Sequence, residues 1–170
     1  VNNDENSFYD VTNIAFKAEA NTTFDWDYDA HKMFGQSVAP QLWTNIEGED
    51  FSTNTLPHIY ESMSLDLNFK AGKNTTYHII AEGIESFYPN SEIYLEDIVK
   101  EEIIDLKESN FYSFQATTSD NIHRFKLHFY GVTSINDNIS DDNMHVYSQQ
   151  NKVYVNLPAI GDKYSISIYD

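Results

Sequence analysis

Cysteine is absent from the 170 residues, which removes a disulfide framework, a thiolate zinc site and a cysteine nucleophile. Bases are scarce: 10 lysines and arginines stand against 27 acids, for a formal net charge of −17. Nucleic acid and anionic lipid are bound by lysine and arginine displacing counterions, so an acidic chain with no basic stripe suits neither partner. No apolar run approaches the roughly 20 residues that cross a bilayer as a helix, so no membrane-spanning segment is expected. The opening VNNDENSFYD lacks the basic-then-apolar layout of a secretory signal. An exported form is therefore expected to carry that signal outside these residues. The Gly-x-Ser-x-Gly elbow, the His-Glu-x-x-His helix and the glycine-rich phosphate loop are also missing. The six histidines are dispersed along the chain, and no enzymatic activity is expected.

What is present is aromatic and alternating. Hydrophobic residues make up 41% and aromatics 15%, with 12 Tyr and 11 Phe, a bias that suits pleated surfaces. MSLDLNF (63–69) alternates on Met63, Leu65, Leu67 and Phe69; HRFKLHFYG (123–131) alternates on Phe125, Leu127 and Phe129. TTYHIIAEG (75–83) and NIAFKAEA (13–20) follow the same period of two, the second through Ile14, Phe16 and Ala18. These read as half-buried antiparallel strands. IYLEDIVKEEIIDL (93–106) fits neither period; its β-branched content and the Glu96-Asp97 interruption favour two strands and a turn. Polar turns at 71–74, 88–91 and 107–110 separate the strands. The fold class is all-β: an antiparallel β-sandwich over 1–131, a short acidic linker over 132–143, and a partial second β-sandwich-like module over 144–170.

The stretch FDWDYDAHKMFG (24–35) sets Asp25, Asp27 and Asp29 at alternate positions between aromatics. Read as a strand, it puts the aspartates on one face and Phe24, Trp26 and Tyr28 on the other. The three carboxylates are candidate calcium ligands. They are not an EF-hand, because the turn glycine falls on Ala30 and the closing glutamate on Gln36. The alternative is a structural strand and corner, with a carboxylate bonding backbone amides at a strand end. No other cofactor is expected. For sugar stacking the candidates are Trp26, Tyr60 and Tyr88, while Trp43 inside PQLWTNI is expected in the core. His78 and His128 lie at the polar phase of their strands, which suits a solvated or hydrogen-bonded imidazole better than a metal ligand.

The order of segments carries a resemblance. Phe24…Tyr28-Asp29-Ala30…Lys32-Met33, then Pro40-Gln41-Leu42-Trp43, Leu56-Pro57, Phe69-Lys70-Ala71-Gly72 and Tyr77-His78-Ile79 form its first part. Ile93-Tyr94-Leu95-Glu96-Asp97, Ile104-Asp105-Leu106, Tyr112-Ser113-Phe114 and the run RFKLHF (124–129) form its second. Together they resemble a β-sandwich module of Bacteroidetes secreted proteins, one that lies just ahead of a type IX secretion sorting domain. MHVYSQQNKVYVNLPAIGDKYSISIYD (144–170) is similar to the opening strands of that sorting domain. The resemblance implies a secreted or cell-surface chain exported across the outer membrane, and a structural role for Asp29-Ala30 and Lys32. It implies a non-catalytic accessory and secretion-signal region of a larger protein, with the type IX machinery and other surface proteins as partners. The alternative reading is a carbohydrate-binding or adhesin module with glycans as partners.

Overall fold

A computed structural model describes residues 1–58 and 62–131, and the strands 145–149 and 152–156 beyond them. Two compact units are present, 1–137 and 138–170. In the second, β12 (His145–Gln149) pairs antiparallel with β13 (Lys152–Asn156). The expected linker at 132–143, the part of the expected second module beyond 156, and Tyr60 lie outside the described residues.

The first unit is all-β, with one 3-10 turn, at Ile84–Ser86, among the described residues. Its strands are β1 (Asn2–Asn3), β2 (Asn13–Phe16), β3 (Ala30–His31), β4 (Gln41–Ile46), β5 (Glu49–Leu56), β6 (Ser62–Lys70) and β7 (Thr75–Ile80). After the turn come β8 (Glu92–Asp97), β9 (Glu102–Asp105), β10 (Phe111–Ala116) and β11 (Phe125–Tyr130). A small sheet runs β1-β7-β10, and a large one runs β2-β5-β4-β6-β11-β8-β9 with β3 also on β5. Alternation decides which face is buried. Leu65, Leu67 and Phe69 of β6, Phe125, Leu127 and Phe129 of β11, and Ile93 and Leu95 of β8 meet Tyr77, Ile79, Tyr112 and Phe114 of the small sheet in one core. Phe69 stands edge-on to Tyr77 and to Phe114, with both ring pairs 5.0 Å apart. Such pairs add about 0.5–1.5 kcal/mol each beyond area burial.

The two-strands-and-a-turn reading of 93–106 holds. Ile98 and Val99 fall in the β8–β9 turn and are exposed, which is why their spacing breaks both periods. Two expectations are corrected. The NIAFKAEA strand stops at Phe16, and Ala18 is exposed in the turn that Ala20 N closes onto Lys17 O. Its pairing with β5 is parallel, which the period of two cannot distinguish, because parallel and antiparallel strands alternate alike.

Two turns show why particular residues stand where they do. A Cβ at Gly72 would lie 2.4 Å from the Val38 carbonyl carbon and oxygen, so only glycine lets these backbones pass. Just beyond it, the buried Tyr77 hydroxyl donates to Lys73 O at 2.7 Å and accepts from Lys73 N at 2.9 Å. The motif Lys70-Ala71-Gly72 is thus a packed backbone crossing.

Candidate functional site

Three groups of polar side chains are candidate sites. The first is the corner at 24–35, where the expected strand does not form over 24–29 and only Ala30–His31 pairs, as β3. Residues 26–28 make a turn: Asp29 N donates to Asp25 O at 2.8 Å and Asp27 N to Asp25 Oδ1 at 3.0 Å. Short acids in a row bond their own main chain and outcompete a ladder. Asp29 Oδ2 accepts Asp25 N at 2.8 Å, and Asp29 Oδ1 accepts Thr55 N at 2.7 Å, tying the corner to the end of β5. Asp25 Oδ2 accepts the Asn21 amide at 2.9 Å, while Asp27 is exposed. Among the described residues, no group of three or more His, Asp or Glu side chains is gathered to hold a metal ion.

The aromatics of this stretch also divide. Phe24 stacks on Phe51 at 5.4 Å, and Trp26 meets Phe24 edge-on at 4.9 Å while remaining 86% exposed. Tyr28 lies under the Lys17 ammonium, 4.5 Å from its ring centre. Lys32, its side chain buried, pairs with Asp10, whose Oδ2 also accepts Leu42 N at 2.6 Å. Of the other sugar-stacking candidates, Tyr88 is partly exposed and its carbonyl accepts the Lys107 ammonium. Tyr60 lies outside the described residues, and Trp43 is buried, its indole N–H donating to Asp50 at 2.7 Å. Of the two stacking candidates that are described, Trp26 contacts Phe24 and Tyr88 bonds Lys107, and their rings do not meet.

The second group lies on the outer face of the large sheet. His128 on β11 stands between two neighbours. Its Nδ1 is 2.8 Å from Ser64 Oγ on β6, and its Nε2 is 2.7 Å from Glu96 Oε2 on β8. Asp66 and Lys126 pair beside it at 3.4 Å. Tyr130 lies parallel to the imidazole at 6.2 Å and meets Tyr94 edge-on at 5.9 Å. Burial, and then the neighbouring Glu92, raises the Tyr94 phenol above its ordinary value. The serine, histidine and glutamate resemble a nucleophile and its base, but the strands that carry them are interior to the sheet. At His128 and Glu96 the main chain is paired on both sides, whereas β4 reaches β6 only over Leu67–Lys70, so that Ser64 is paired with β11. The row lies on a sheet face of aromatic and hydrogen-bonding groups.

The third group is buried. The only arginine in the sequence, Arg124, donates to Asp97 through Nη2 at 2.7 Å and through Nε at 3.2 Å to each carboxylate oxygen. Asp97 also accepts the Tyr112 hydroxyl at 2.9 Å and the turn amides of Val99 and Lys100 at 3.1 and 3.3 Å. The guanidinium lies over Phe114, 4.4 Å from the ring centre. Tyr112 also reaches Glu102 at 2.8 Å, and burial followed by these two carboxylates pushes its phenol far above the ordinary value. Asp97 and Arg124 are 0% and 2% exposed, leaving no room for a substrate, so this network is architecture. In the sequence Asp97 stands out as an interruption of the pattern and as the end of the motif Ile93-Tyr94-Leu95-Glu96-Asp97, neither of which marks it as half of a buried ion pair. The available signal was the lone arginine opening a strand of alternating core residues.

No curated protein and no solved structure matches the chain. A family model does, over residues 1–129, which is the sandwich. The chain belongs to the family described as Domain of unknown function (DUF8693).

Proposed function

We propose that the sandwich is a non-catalytic accessory module of a larger exported, cell-surface protein, and that 144–170 begins a type IX sorting domain. The observation that carries this reading is where the residues of the resemblance are spent. Asp29 anchors a corner, Lys32 pairs with Asp10, Gly72 lets two backbones cross, and RFKLHF supplies one arginine to a buried pair and three core side chains. Such a motif specifies a scaffold and no reaction. The type IX machinery and neighbouring surface proteins are the partners this reading entails. The test is to fuse the region from 132 onward, with the rest of its carboxyl-terminal module, to a reporter in cells that possess the type IX machinery. Arrival of the reporter at the surface supports the proposal, and retention in the periplasm refutes it.

A second reading, carbohydrate binding, is favoured by the aromatic Tyr94–Tyr130–His128 face and by the exposed Trp26 indole. Sugar rings stack on such surfaces while carboxylates and hydroxyls bond their edges. Retention on insoluble polysaccharide, lost on Tyr130→Ala or Trp26→Ala in a chain that still folds, supports it. Absence of retention by the native chain removes it.

A further inference from the structure

The two sheets end in edges that the sequence treats differently. Strand β10 closes one side of the small sheet. Ala81 N donates to Asn110 O, and the register pairs Tyr112 with Ile79 and Phe114 with Tyr77. Alternation then turns the main-chain groups of Phe111, Ser113 and Gln115 outward. Each of those three carbonyls is met by a side chain: Ser109 Oγ at 3.0 Å from Phe111 O, Lys100 Nζ at 3.5 Å from Ser113 O, and Arg124 Nη1 at 2.9 Å from Gln115 O. Side chains laid along an edge this way obstruct an incoming strand.

Strand β9 ends the large sheet. Leu106 N donates to Ile93 O opposite it, so Ile104 and Glu102 also face β8, and the main-chain groups of Ile103 and Asp105 point to the open side. The Asp105 carbonyl accepts Ser109 N at 2.9 Å, and among the described residues the Ile103 N–H and C=O and the Asp105 N–H meet no partner. The Ile103 side chain is 68% exposed, an unusual choice for an edge that is to stay unpaired. On the strand itself, Glu102 and Asp105 flank Ile103-Ile104.

We propose that β9 is a docking edge for an extended segment of a partner protein carrying the order basic, apolar, apolar, basic. The added strand extends the large sheet by main-chain hydrogen bonds. Opposite Glu102 and Asp105 it places lysine or arginine; opposite Ile103 and Ile104 it places β-branched residues. Charge argues against a second copy, since antiparallel β9 strands centred on Ile103 set Glu101 of one against Asp105 of the other. This inference stands apart from the export proposal, because it concerns only the folded sandwich.

The test is amide chemical-shift mapping on the full chain with two synthetic hexapeptides, TKVVKT and TEVVET, at millimolar concentration. The expected result is a saturable shift of the Ile103 and Asp105 amides with TKVVKT alone, and none at Ser113 or Gln115. Ile103→Pro removes an outward N–H at an edge, where proline is tolerated, and abolishes the shift while the rest of the spectrum persists. If that variant fails to fold, Ile103→Lys, which replaces the apolar contact by a like charge, serves the same end. No shift, equal shifts with both peptides, shifts on β10, or binding that survives a folded variant at position 103 overturns the proposal.

Discussion

Asp29 and Asp97 both stand in short acidic runs and both accept main-chain amides. Asp29, partly exposed at a corner, holds two amides, from Asp25 and Thr55. Asp97, fully enclosed, holds two turn amides, a tyrosine hydroxyl and the arginine. Water solvates the first in any conformation, so its amides alone set its worth. The second has left water entirely, and its partners must replace all the solvation it gave up. Carboxylates of similar sequence context therefore differ in consequence because one can return to solvent when a partner is lost and the other cannot.

Asp97→Ala is the severest way to break that comparison. It strands a buried guanidinium and is expected to cost about 3–5 kcal/mol, read as a fall in the denaturant midpoint with unchanged slope. Arg124→Met costs a similar amount by stranding the carboxylate. The pair Asp97→Ala with Arg124→Met is expected to recover part of the sum, because neither charge is then stranded, although the Tyr112 hydroxyl and the Val99 and Lys100 amides still lose their acceptor. Strict additivity in that cycle would show that the two charges do not depend on each other.

Next in size is Tyr112→Phe, which deletes a hydrogen bond to a charged acceptor and is expected to cost about 1.5–3 kcal/mol. It also sharpens the contrast through pH. Burial raises the Tyr112 and Tyr77 phenols above their ordinary value of 10.0. A phenol held protonated in the fold contributes stability that is fully present below the unfolded value. That stability is lost as pH rises above it toward the folded value. The native chain is thus expected to lose stability above about pH 10, and Tyr112→Phe to lose less over the same interval. Parallel alkaline melting curves for the two chains would refute this.

These contrasts track what was legible. Leu65, Leu67, Phe69, Phe125, Leu127 and Phe129 announce the core because half-buried strands alternate, and all six are buried. The stretch 24–29 alternates too, yet forms a turn, because aspartate side chains close on nearby amides more readily than on a neighbouring strand. The Ser64–His128–Glu96 row was half legible. The polar phase of each strand was visible, but the neighbours that make it a row follow from register, which depends on the whole sheet. Asp97–Arg124 was the least legible, since a buried pair looks in one dimension like two interruptions of a pattern.

Asp29→Ala is expected to cost less than the Asp97 changes, about 1–2 kcal/mol, as two amides lose a strong acceptor but gain some access to water. Asp27→Asn, at an exposed position, stays within about 0.5 kcal/mol.

Calcium is the finest probe of the corner. A cation would have to take Asp29 from Thr55 N and Asp25 N, and Asp25 from Asn21, exchanging formed hydrogen bonds for ligation by carboxylates that no third acid joins in a ready group among the described residues. Millimolar calcium is therefore expected to leave the melting temperature of the native chain and of Asp27→Asn alike. A rise in the native chain that Asp27→Asn abolishes would mean that the turn reopens around the ion. Asp29 would then owe its place to a ligand as well as to the fold, and its difference from Asp97 would be one of function rather than of solvation.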